Sequence, residues 1–335
     1  MLHLLIIDMM ETTLPVLKNP LIRGYRIHAY LFCIMMHDHP DFYKYAISNY
    51  LCLHNKRSGV DYLDFHAENY FQRLTTLFYD NSWFDHYSVD ITSGAEREYI
   101  IRVVVEGLNN GYYIIHGINE SQLKHTVYYG GDVCNNIEMT YGFSELKDSF
   151  FVLDYDRHGR FGGNAVKAGD YIKAVSTATV QKKYLNFVKA KKDLKFEFEP
   201  EKAIGLLKCH VCSEPAYPDY SAYAGNLIGY KAIERTLDLS KKNGIDFIKM
   251  RIIKEHKEMV FRYFKYACNS GVAPKCFLER YAKIKEEMNN IFWCMLKDSI
   301  TNAPMATVAK RVNSISRLNE AEFICITDYL KYTNR

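Results

Sequence analysis

Asn136 and Asp154 frame the stretch of this 335-residue chain best suited to chemistry. Between them come Ile137, Met139, Tyr141 and Phe143, then the polar Ser144, Glu145, Lys147 and Asp148, then Phe150, Phe151, Val152 and Leu153. That pattern predicts two strands joined by a short polar turn. With the hairpin centred near Glu145, Asn136 faces Asp154 on one side of the sheet. An acid in that place orients an imidazole on the neighbouring strand, so that the imidazole can activate a thiol or hydroxyl. Asn136 is an amide and not an imidazole, and it shuttles no proton near neutral pH.

Other residue types invite a catalytic or metal reading. Cys33 is the thiol considered as a nucleophile, but its neighbours Phe32, Ile34 and Met35 predict a buried, protonated side chain. His28, His37, His39, His116 and His125 are candidate bases without the hairpin setting. His37-Asp38-His39 closes a helix and points its side chains in different directions, which argues against a metal. Ser82 and His86 have no oxyanion motif beside them and read as loop residues. Cys209 and Cys212 form one CxxC with no second pair, so no zinc site is expected from it. No metal site and no cofactor are read from the chain.

The elements that must position these residues follow from periodicity. Residues 2–7 read as a strand, and apolar helical segments follow over 28–37 and 40–52. A helix over 95–109 opens after Thr92-Ser93 and ends at Asn109-Asn110-Gly111, with a strand over 112–115. Residues 166–176 read as a polar turn and strand, and 187–198 as a further strand. From Gly225 the pattern turns helical, over 227–237, 246–269, 275–298 and 320–332, the last capped by Asn319. The Pro- and Tyr-rich loop after Cys212 joins the halves. The expected organisation is an α+β core over 1–205 and a mainly helical part over 206–335 packed on it.

Composition narrows the classes. Hydrophobic residues make up 48% and charged residues 24%, ordinary for a globular chain able to bury a core. The net charge of +4 is too weak to argue for nucleic acid, and the clusters over 182–195 and 241–257 read as solvated helix faces. Nine scattered cysteines, several among apolar neighbours, indicate reduced thiols in a cytoplasmic protein. No apolar run is long enough to span a membrane.

Several segments together resemble a family of papain-like proteins from nonribosomal peptide and polyketide gene clusters, related to butirosin biosynthesis protein H and the closthioamide amide synthase. They are LPVLKNPLIRGY (14–25), AISNYLCLH (46–54), LNNGYYII (108–115), the YGF…FFVLDY hairpin, NLIGYKAIERTL (226–237) and KEHKEM…R (254–262). The resemblance implies a papain-like fold and a cysteine–histidine–acid site that moves an acyl group from a carrier-protein thioester to an amine. It also implies a nucleophile opening the first helix, where this chain reads Tyr25-Arg26-Ile27-His28, or the second, near Asp41 and Phe42; neither has a cysteine. Asn136 stands at the family histidine position and Asp154 at the family acid.

The expectation is therefore a catalytically degenerate member that binds an acyl or peptidyl carrier protein or an acyl intermediate, with a homodimer compatible. Two alternatives stand beside it. One is an active acyltransferase or amide synthase with Cys33 as displaced nucleophile. The other is a binding module unrelated to thioesters that uses the basic charge of the helical part.

Overall fold

The computed structural model describes residues 11–56, 62–66, 82–91, 96–179, 183–214, 226–301 and 304–333. The strand expected over 2–7, the helix entry at Thr92-Ser93 and the Pro- and Tyr-rich segment lie outside them. In chain order the elements are β1 (Glu11–Thr13), α1 (Arg26–Asp38), α2 (Phe42–Asn49), β2 (Leu53–Lys56), β3 (Tyr62–Phe65) and β4 (Phe84–Asp90). They continue as α3 (Arg97–Asn109), β5 (Tyr113–Asn119), β6 (Asn135–Ser144), β7 (Ser149–Tyr155), β8 (Phe161–Lys167), α4 (Ala168–Ser176) and β9 (Tyr184–Ala190). The last are α5 (Pro200–Cys212), β10 (Leu227–Ile228), α6 (Gly229–Asn243), α7 (Phe247–Asn269), α8 (Lys275–Ile300) and α9 (Met305–Thr333).

The protein is α+β with antiparallel sheets. It divides into two compact units, one of residues 1–20, 26–40 and 73–194, the other of 21–25, 41–72 and 195–335. The chain thus passes between these units several times.

The first unit holds a seven-stranded sheet in the order β4-β9-β5-β6-β7-β8, with β1 also paired to β6. β5 pairs with β6 up to Thr140 and β1 takes over from Gly142, so the long β6 stays paired to its end. One face is closed by helical stripes. Ile100, Val104 and Leu108 of α3, spaced by one turn, and Tyr171, Ala174 and Val175 of α4 pack with Ile114, Ile118, Phe150, Val152, Leu185 and Phe187. Each fully buried side chain of this size contributes about 2 kcal/mol before entropy is counted. The α4 stripe also explains one correction: 168–176 is a helix, because Ala168, Tyr171, Ala174 and Val175 recur at helical spacing. In α1 every residue from His28 to Met35 is buried, as expected for a helix that is apolar all round.

The hairpin forms with its turn at residues 145–148, but its register is not the expected one. Ser144 pairs with Ser149, an irregularity falls between Thr140 and Gly142, and Met139 then pairs with Leu153. One further step along that register sets Glu138, not Asn136, across from Asp154. The turn lies later than the sequence suggested, and the bulge at Tyr141 adds a residue to one strand only.

Among the described residues, the second unit holds the small antiparallel sheet β10-β2-β3 and six helices. The Asp246 side chain accepts from the Ile248 and Lys249 amides and so starts α7. α7 packs on α8, α2 and β3, which leaves its middle without a wet side. Glu255, His256 and Lys257 are consequently buried in succession, although the sequence read this helix as an amphipathic surface helix. α9 begins at Met305, so Asn319 is no N-cap; it is buried within the helix and bonded to Lys257. Among the described residues, no helix is long and apolar enough to cross a membrane.

Candidate functional site

In the first unit, charged groups meet where α1 begins and β7 ends. Arg26 is the first residue of α1. Its Nε donates to Asp154 Oδ1 at 2.5 Å, and a terminal nitrogen donates to Glu120, which opens the single 3-10 turn after β5. Its guanidinium also lies 5.2 Å from the centre of the Tyr155 ring. Burial works against the charge on Arg26, but Asp154, Tyr30 and Glu120 outweigh it and raise its pKa. Burial pushes the Glu120 carboxyl up, and Arg26 pulls it back in part.

Asn136 does not meet Asp154. Its side chain helps hold the Glu120 carboxyl down, and its Oδ1 accepts from the Ile137 amide at 3.0 Å. The imidazole beside Asp154 is instead His125, whose Nε2 lies 3.6 Å from Asp154 Oδ2. It comes from the loop between β5 and β6, so no strand pattern pointed to it. Glu138 completes the group. It is fully buried, neither carboxylate oxygen has a hydrogen-bond partner, and burial with Asp154 beside it drives its pKa well up.

The thiols are placed unfavourably for nucleophilic work. Cys33 lies inside α1 with no exposed surface, and burial holds its thiol protonated. Cys134, not singled out by sequence, is partly exposed and its Sγ lies 3.8 Å from Glu120 Oε2. Burial and that carboxylate both raise its pKa, against Arg26. Cys209 and Cys212 are free thiols on α5. Ser82 and His86 are exposed at the β4 edge.

His116 is held by a different network. Its Nδ1 lies 3.1 Å from the Gly117 carbonyl and its Nε2 2.7 Å from Tyr171 Oη. A carbonyl only accepts, so Nδ1 carries the proton and Tyr171 donates to Nε2. Burial lowers the His116 pKa to about 4, which suits a neutral core ring and not a proton shuttle.

The second unit has its own buried cluster at Glu322 of α9. Lys257 and the Tyr281 hydroxyl donate to its carboxylate, and Lys257 also donates to Asn319 Oδ1 at 2.7 Å. His210 Nε2 and His256 Nδ1 lie 3.5 and 3.6 Å from the Glu322 oxygens. The two rings stack with centres 4.3 Å apart, and His256 Nε2 donates to the Leu51 carbonyl at 3.0 Å. Burial works to raise the Glu322 pKa, but Lys257, His256 and His210 hold it well below the usual carboxylate range. The cluster ties together α5, α7, α8 and α9. Its only trace in the sequence is the EHK triplet.

No protein-family model matches the chain, and no curated protein matches it in sequence.

Proposed function

We propose that this protein is a catalytically degenerate papain-like protein that binds an acyl or peptidyl carrier protein, or its acyl group, without thiol chemistry. The observation that carries the reading is Arg26. A side chain at a helix N-terminus is where a thiolate would gain from the helix dipole. Here that place holds a cation bonded to Asp154 and Glu120, so the orienting acid is spent on a structural ion pair. An antiparallel sheet beside α1 and the acid at the end of β7 support the papain-like part of the reading. The carrier-protein part rests on the sequence resemblance.

The alternative, an acyltransferase with Cys33 as displaced nucleophile, has less support, because Cys33 is sealed in an apolar helix. Cys134 is the better-placed thiol, but a carboxylate beside it opposes thiolate formation.

The test mixes the full chain with carrier protein loaded with an acyl thioester, in the presence of an amine acceptor. The expected result is co-elution on gel filtration, with the thioester intact and no acyl mass on any cysteine. Absence of co-elution overturns carrier binding. An acyl adduct at Cys134 or Cys33, or transfer to the amine, overturns the degenerate reading.

A further inference from the structure

We propose that His125, Glu138 and Asp154 form a binding site for one divalent first-row transition-metal ion such as Mn²⁺, Co²⁺ or Zn²⁺. The three residues reach one point from three separate segments: the loop after β5, the strand β6 and the end of β7. One donor atom from each lies within 4.8 Å of the others. The His125 Nε2 to Asp154 Oδ2 separation of 3.6 Å is close to the edge of a tetrahedron with bonds of about 2.1 Å.

A second observation points to a ligand independently of this convergence. His125 Nε2, Asp154 Oδ2 and both oxygens of Glu138 are buried atoms without hydrogen-bond partners. Glu138 and Asp154 have no exposed surface. Carboxylate oxygens shut away from water and from every donor are costly, and a cation is the partner that satisfies all of them at once.

Charge balance gives the sign and size of that cation. A divalent ion that displaces the Glu138 proton meets three carboxylates, of Glu120, Glu138 and Asp154, against the Arg26 guanidinium that pairs with two of them, and neutralises the two charges left over. Arg26 uses Asp154 Oδ1 and leaves Oδ2 facing His125.

The donor set is one imidazole nitrogen and carboxylate oxygens, which suits borderline first-row ions; Ca²⁺ prefers six to eight oxygens. His125 is the only partly exposed ligand, so the ion enters from its side, where water completes the coordination. The cluster of His210, His256 and Glu322 offers a similar donor set, but the Lys257 ammonium already neutralises Glu322 and would repel a second cation.

The test strips the full chain with chelator, restores Co²⁺, Mn²⁺ or Zn²⁺ alone, and counts bound metal after gel filtration. The expected result is one ion per chain, with a Co²⁺ spectrum lacking thiolate charge transfer, which excludes the Cys209–Cys212 pair. His125→Ala leaves the buried carboxylates in place and keeps the fold by circular dichroism. It weakens binding at least about tenfold, as does Glu138→Gln where that variant folds. His210→Ala binds like the parent. No stoichiometric ion, an unchanged affinity in folded His125→Ala, loss on His210→Ala, or a thiolate band each overturns the proposal.

Discussion

Removing Lys257 would strand the Glu322 carboxylate, 1% exposed, beside two neutral imidazoles and the Tyr281 hydroxyl. An uncompensated buried charge of this kind costs about 3–5 kcal/mol, whereas exchanging both ions for apolar groups is far cheaper. Lys257→Met is therefore expected to lower stability by about that amount in urea unfolding. Lys257→Met combined with Glu322→Leu should recover at least half of the loss. A single variant within about 1 kcal/mol of the parent would show that the pair is already relaxed by water or protonation. The same reasoning separates the two clusters by role. Glu322 has a cation and donors on both oxygens, so its cluster reads as a structural tie between helices. Glu138 has neither, and its cluster reads as a site.

The start of α6 depends on glycine for two reasons at once. Gly229 has φ of +55°, and a Cβ there would lie 2.1 Å from the His210 carbonyl oxygen at the end of α5. Gly159 in the β7–β8 turn has φ of +68° but open space around it. Gly159→Ala should thus lose only the left-handed strain of about 1–2 kcal/mol. Gly229→Ala should lose clearly more, because α5 and α6 must also separate. Thermal unfolding of the two variants tests this, and equal losses would mean that the α5–α6 approach yields freely. This close approach was not visible in the sequence, which shows a glycine but not what crosses it. The hairpin was legible, because strand alternation and a polar turn are local signals. Its register was not: the strands close between Ser144 and Ser149 instead of around Glu145, and the bulge at Tyr141 takes back only part of that displacement, so Glu138 and not Asn136 comes opposite Asp154. The burial of the EHK triplet is hidden for another reason: helical periodicity assumes one wet face, and α7 has helices and a strand around its middle. His125 was noted as an imidazole, but only the path of the β5–β6 loop brings it to Asp154.

At the scale of the whole molecule, stability against pH sums buried groups that pull in opposite directions, and two of them in the second unit separate the signs. The Glu255 carboxylate is buried and accepts the Arg23 and Gly24 amides at 3.1 and 2.9 Å. Burial raises its pKa to about 7, against those amides and Arg251. Below the unfolded value of 4.5 its contribution is fully present, and it is lost as pH rises towards 7. His66 is the reverse case. Burial first, and His54 second, lower its pKa to about 3 from 6.5. Its contribution is fully present above 6.5 and is lost as pH falls towards 3, because the folded state resists the proton that the unfolded state takes up. Each group contributes a slope of at most about 1.4 kcal/mol per pH unit, with opposite sign. Between pH 5 and 6 the two nearly cancel, so the parent profile alone would hide both (both pH limits are roughly the overlap of the two titration ranges). Glu255→Gln removes the falling component, so unfolding free energy should rise more steeply with pH across this window than in the parent. His66→Gln removes the rising component, so it should flatten or turn downward. Urea midpoints measured across the window check the pair. Slopes that shift in the same direction in both variants would mean that folding displaces one of these two pKa values in the opposite direction, and an unchanged slope would mean that the replaced group titrates as it does in the unfolded chain.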